Sequence, residues 1–115
     1  MANAELVKWP GKSGSLYAYG IHILPVTFDE GQDGNYIYCK IVNNKWVPIY
    51  FGEGDLGGRS GSGHHKADCI KEKGATHFHE HLQGNKDVRK TEEEDLLENF
   101  PEAYAPTGCN EKEGG

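Results

Sequence analysis

Apolar and polar positions alternate along much of this chain, and a helical period shows in only two stretches. Residues 17–28, YAYGIHILPVTF, are apolar and β-branched enough for a strand, with Pro25 marking an edge or a bulge. DEGQDG, residues 29–34, follows as a polar turn. NYIYCKIV (35–42) and KWVPIYF (45–51) predict two strands. Asn43-Asn44 between them tolerates positive φ, so the pair reads as a hairpin. Past a glycine-rich loop, HHKADCIKEKG (64–74) predicts a short helix with Ala67 and Ile70 inward, stopped by Gly74. ATHFHEHL (75–82) alternates as a further strand, and DVRKTEEEDLLENF (87–100) predicts a helix ended by Pro101. Together these elements give an α+β fold: a small, mostly antiparallel sheet of three to four strands with two or more flanking helices.

Composition limits that fold to one domain, because 115 residues with 36% hydrophobic content bury one modest core. The expected arrangement is an N-terminal arm over 1–19, a core over 20–110 and a flexible tail over 111–115, whose Gly114-Gly115 reads as frayed glycine rather than a conjugation tail. No run of about 18 apolar residues exists, so no membrane-spanning helix is expected. The first residues carry no basic segment followed by an apolar stretch, and a cytoplasmic location is expected. Cys39, Cys69 and Cys109 lack C-x-x-C spacing, and an odd number of cysteines in such a chain argues for reduced thiols.

A net charge of -6 weighs against a strong nucleic-acid binder, which concentrates positive charge against phosphate. The acids, however, cluster at 29–33 and 92–113, while Lys66, Lys71, Lys73, Lys86, Arg89 and Lys90 lie between. A local basic face with weak affinity is the expectation.

Gly52 to Gly57 reads G-x-G-x-x-G, the spacing of a dinucleotide loop. That loop needs a helix opening at its last glycine and parallel crossovers. GRSGSGHH has no helical period and the preceding hairpin is antiparallel, so no nucleotide cofactor is expected. The hairpin instead carries Tyr36 on one strand and Tyr50 on the other, and antiparallel pairing can bring both phenols to one end or face.

In the last helix, Leu96, Leu97 and Phe100 define the apolar face at 100° per residue. Glu93 lies in the middle of that face and Glu92 at its edge. A carboxylate there is costly unless paired or coordinated. Arg89, four residues earlier, could pair with it; a divalent cation could also be held by it.

In this order, GNYIY (34–38), YFG (50–52), Arg59, His64-His65, EEEDLL (92–97) and Cys109-Asn110 resemble the GIY-YIG nuclease superfamily. WPGKSGS, GATHFHEH and EEEDLL further resemble a small uncharacterised subgroup of it, which extends the likeness to nearly the whole chain. Asn35 stands where the motif has a hydrophobic residue, and Phe51 where it has Ile or Val. The resemblance implies a GIY-YIG-like fold and a metal-dependent endonuclease that hydrolyses phosphodiester bonds in DNA. By the same resemblance, Glu93 would hold one Mg²⁺ or Mn²⁺ and Arg59 would grip the scissile phosphate. Tyr36 would activate water, His64 would accept its proton with His65 as substitute, Tyr50 would orient water or phosphate, and Asn110 would fix the end of the chain. No appended DNA-binding domain is evident, so targeting would come from a partner, a homodimer or the shape of the substrate.

The alternation of His77, His79 and His81 puts three imidazoles on one strand face. Residues two apart on a flat strand sit about 7 Å apart, awkward for one zinc ion. A structural or solvent-facing role is expected, with adventitious metal binding and a part in the active site as alternatives. The competing functional classes are a non-catalytic nucleic-acid or protein-binding module on the same fold, and a His-rich metal-binding protein.

Overall fold

The computed structural model describes residues 5–61 and 63–112. Five strands are joined in one antiparallel sheet: β1 (Leu6–Pro10), β2 (Leu16–Ile23), β3 (Asp33–Val42), β4 (Lys45–Asp55) and β5 (His77–Leu82). Their order across the sheet is β1-β2-β5-β3-β4, and the sheet curls into a half-barrel. Three helices accompany it, α1 (Leu56–Arg59), α2 (Ala67–Glu72) and α3 (Lys86–Asn99), with a 3₁₀ turn at Pro101–Ala103.

This corrects the expected GIY-YIG-like sheet of three to four strands with flanking helices: strand makes up 39% and helix 25%, so the sheet dominates. The fifth strand came from a segment expected to be an arm. LVKWP pairs with β2, Trp9 opposite Tyr17, and Trp9 and Tyr19 are both core residues. Glycines and serines around it hid a strand only five residues long. Residues 1–4 of that arm, and 113–115 of the tail with Gly114-Gly115, lie outside the described residues. β2 also ends at Ile23, earlier than expected, and the predicted helix at 64–74 is helical only from Ala67 to Glu72.

The hairpin forms as its sequence requires, with Asn43 and Asn44 at φ 53° and 63°. Each face of the sheet has its own core. On one face Trp9, Tyr19, Ile37, Cys39 and Phe51 meet Leu96 of α3. On the other Tyr36, Tyr38 and Phe78 meet Leu56 of α1 and Ile70 of α2.

The buried side of α3 is half polar, which changes the expected helical face. Its fully buried residues are Arg89, Glu92 and Leu96. Glu92, at 3% exposure, accepts a hydrogen bond from Tyr19 Oη at 2.5 Å and lies 3.0 Å from His81 Nδ1. Arg89 ion-pairs with Glu53 at 2.9 Å and donates to the carbonyls of Gln83 and Gly84. The most buried acid of the helix is thus Glu92 rather than Glu93, because polar partners on the sheet set the helix rotation as much as Leu96 does.

Cys69 of α2 is bonded to Cys109 in a disulfide, which overturns the expectation of three reduced thiols. Cys39 is the free, buried cysteine. Among the described residues no helix is long and apolar enough to cross a membrane.

Candidate active site

Tyr36 and Tyr50 share a face because of one irregularity. Tyr38 pairs with Tyr50 but Cys39 pairs with Pro48, leaving Ile49 as an extra residue in β4. Without that bulge, Tyr50 would follow Trp46 and Pro48 onto the α3 face, since side chains alternate along a strand. With it, the two phenols lie stacked with centroids 6.1 Å apart. Gly52 makes room: it is the cross-strand partner of Tyr36, and a Cβ there would come within 2.2 Å of the Tyr36 ring. The glycine of YFG is therefore a consequence of the tyrosine it faces.

Around this pair the other predicted residues gather. Asp55 caps α1 by accepting from Gly57 N–H, and Arg59 ends that helix. The one-turn helix opens at the last residues of the glycine motif, where none was expected, yet the sheet around it is antiparallel throughout. Tyr38 Oη donates to the Arg59 carbonyl at 2.6 Å, and the guanidinium lies over Gly54, where a Cβ would approach Arg59 Nε to 3.1 Å. The Arg59 charge is felt at Tyr36, Tyr50 and His64, and the Glu93 charge at both tyrosines.

His64, in the loop before α2, is 5% exposed, and its Nε2 lies 2.6 Å from Tyr36 Oη. Its Nδ1 accepts from the Lys66 N–H at 2.9 Å. An imidazole that accepts at Nδ1 carries its proton on Nε2, so His64 donates to Tyr36. That reverses the expected direction: His64 cannot take the Tyr36 proton while Lys66 N–H occupies Nδ1. Burial, with the charges of His65 and Arg59 adding, holds His64 at about 4 and hence neutral. Burial also pushes the Tyr36 phenol well above its ordinary value, with Tyr50 adding and Arg59 opposing. Tyr50 is raised by burial first and by Glu93 second.

His65 differs from its neighbour. It is exposed, stacks on His64 with centroids 4.6 Å apart, and brings Nε2 to 3.4 Å from Tyr50 Oη. Tyr50, His65, Glu93 and Asn110 line one cavity of about 460 Å³, together with Lys66 and Lys90. Tyr36, Arg59 and His64 stand behind the Tyr50 side of that cavity rather than in its wall.

Asn110 closes the cavity's floor. Its amide accepts from Phe51 N–H and donates to Phe51 C=O, both at 2.9 Å, copying the two bonds a neighbouring strand would make. Cys109 N–H takes the Ile49 carbonyl beside the bulge. The disulfide joins this segment to α2, which follows directly on the His65 and Lys66 side of the cavity.

A carboxylate is the ligand type a hard cation takes. Glu93 offers carboxylate oxygen to the cavity, whereas among the described residues no group of three His, Cys, Asp or Glu could hold a metal. One carboxylate completed by substrate phosphate and water is the way Mg²⁺ is commonly held. The three alternating histidines have other partners: His79 accepts from Trp9 Nε1 at 3.0 Å, His81 meets Glu92, and His77 lies against Trp46.

The chain was compared with protein-family models, curated proteins and solved structures, and none matches it.

Proposed function

We propose that this protein is a metal-dependent endonuclease acting on DNA phosphodiesters, with its active site in the cavity between β4 and α3. One observation carries the reading: a phenol, an imidazole and a carboxylate from three separate segments line one cavity, with an arginine's charge close behind. The ordered likeness to GIY-YIG nucleases supports it from the sequence side.

In this reading Glu93 holds Mg²⁺ or Mn²⁺. A cation held there would supply neutralisation of the charge that develops on the phosphate. Arg59, behind the cavity wall, adds positive charge that favours the phosphate without touching it. His65 takes the proton of the attacking water, because it faces the cavity while His64 is buried with Nδ1 engaged. Tyr50, beside His65, orients that water. Tyr36 positions Tyr50 by stacking and His64 by an edge-to-face contact, and Asn110 holds the cavity floor. Nucleophilic attack by water at phosphorus then breaks the bond to the 3′ oxygen, which leaves protonated by solvent.

The cytoplasmic location read from the first residues stands against the Cys69–Cys109 bond, a pairing that persists in oxidising surroundings. We place the working protein where that bond survives.

The deciding experiment measures Mn²⁺-dependent scission of labelled DNA oligonucleotides by wild type, Glu93→Gln, Arg59→Ala and His65→Ala, with thermal melts as folding control. Loss of scission in all three variants at unchanged melting supports the assignment. Undiminished scission in Glu93→Gln refutes it. Binding without scission by wild type favours a non-catalytic DNA-binding module.

A further inference from the structure

The cavity wall formed by α3 is graded in chemistry. Lys90, Glu93, Glu94 and Leu97 lie on one stripe of the helix, with three- and four-residue spacings, and all four line the cavity. At 1.5 Å per residue the wall runs from an ammonium through two carboxylates to an apolar end over about 10 Å. Tyr104, half-buried just after the 3₁₀ turn, lines the same cavity. Lys66 adds a second cation, paired with Glu111 at 3.3 Å.

That grading matches one nucleotide. A nucleotide is an anion at its phosphate and a flat, apolar-faced ring at its base, and the two ends are a few ångströms apart. The cavity, about 460 Å³, is of single-nucleotide size and bounded by protein on several sides. A base still paired within a duplex hides both faces in the stack and cannot present one to an aromatic side chain.

We infer that the Leu97–Tyr104 end of the cavity is a base subsite, so that the strand bound here is single-stranded or carries an extruded nucleotide. Lys66 and Lys90 hold the flanking phosphates, and the Tyr104 face opposite Lys112, whose Nζ lies 5.6 Å from the ring centroid, stacks on the base next to the phosphate that lies at Glu93. Glu111 occupies Lys66 until the strand arrives. This rests on the proposed role of Glu93, and deepens it by fixing the form of the substrate.

The test is binding, so that it does not depend on turnover. Fluorescence anisotropy of the Glu93→Gln protein is measured with a labelled single-stranded DNA, its perfect duplex, and a duplex bearing one unpaired nucleotide. The single strand and the bulged duplex are expected to bind at least about tenfold tighter than the perfect duplex. Tyr104→Ala should lose roughly tenfold for the single strand, the scale of one base stacking on an aromatic ring, and Tyr104→Phe should restore it. Lys66→Ala and Lys90→Ala should each lower the salt slope by nearly one ion. Equal binding of duplex and single strand, or Tyr104→Ala binding like its parent, overturns the subsite, and so does the absence of any binding. A preserved preference for single strands in a wild type that cuts nothing leaves the subsite standing and removes the nuclease.

Discussion

Reducing the Cys69–Cys109 bond perturbs stability and site together. The cysteines are 40 residues apart in sequence. Closing a loop of that length removes unfolded-chain entropy that stabilises the native state by about 4 kcal/mol. For a domain of this size that corresponds to a fall in melting temperature of roughly 12–20 °C. Circular dichroism melts of untreated protein, protein with reductant, and the Cys69→Ala/Cys109→Ala variant measure it. The last two are expected to agree, since Cys39 is buried against His79 and has no disulfide to lose. Thiol titration of the untreated, denatured chain should find one reactive cysteine of three. The loosening should begin at the cavity, where faster exchange of the Cys109 and Asn110 amides reports loss of their bonds to Ile49 and Ala103. A shift below about 1 kcal/mol would refute the entropic reasoning, and three reactive thiols would refute the bond itself.

Three further outcomes follow. Burial holds His64 at about 4 and His79 at about 3, against an unfolded value near 6.5. The unfolded chain then binds protons the native one refuses, so stability is complete above about pH 6.5 and falls on acidification by up to about 1.4 kcal/mol per unit for each histidine; urea midpoints from pH 7 to 4.5 that do not move refute this. Glu92→Gln should cost about 1–3 kcal/mol, through the weakened bonds to Tyr19 and His81, yet leave scission per folded molecule intact; an activity loss matching Glu93→Gln would show that the wrong carboxylate is assigned to the cation. Gly54, at φ +137°, lies beneath Arg59, so Gly54→Ala should destabilise by more than about 1 kcal/mol and lower kcat/KM; wild-type kinetics would sink the placement of that guanidinium.

Local signals carried the hairpin and α3: two asparagines suited to positive φ, and the apolar period ending at Pro101. The site residues themselves were named from an ordered likeness. What escaped detection depended on partners distant in sequence. β1 becomes a strand because Trp9 finds His79 and Phe51, which no pattern within LVKWP reveals. Glu92 is buried because Tyr19 and His81 await it, whereas an apolar period sees only Leu96, Leu97 and Phe100. The disulfide joins α2 to a segment that reaches it only after folding. A clue to the bulge was present: Pro48 within a strand marks an edge or an irregularity, and that irregularity puts Tyr50 beside Tyr36.

The Asn110 amide also has a bearing on how molecules of this protein meet one another. β4 is the last strand of its sheet, and a bare border of that kind is a template on which a second copy can build. At Ile49 and Phe51 the groups that would recruit a stranger are already taken by Cys109 and Asn110. The opposite border, β1, is five residues long and closes on Pro10. Fibrous growth is thus discouraged from both ends, and the stretch that shuts one of them is the same stretch that floors the cavity.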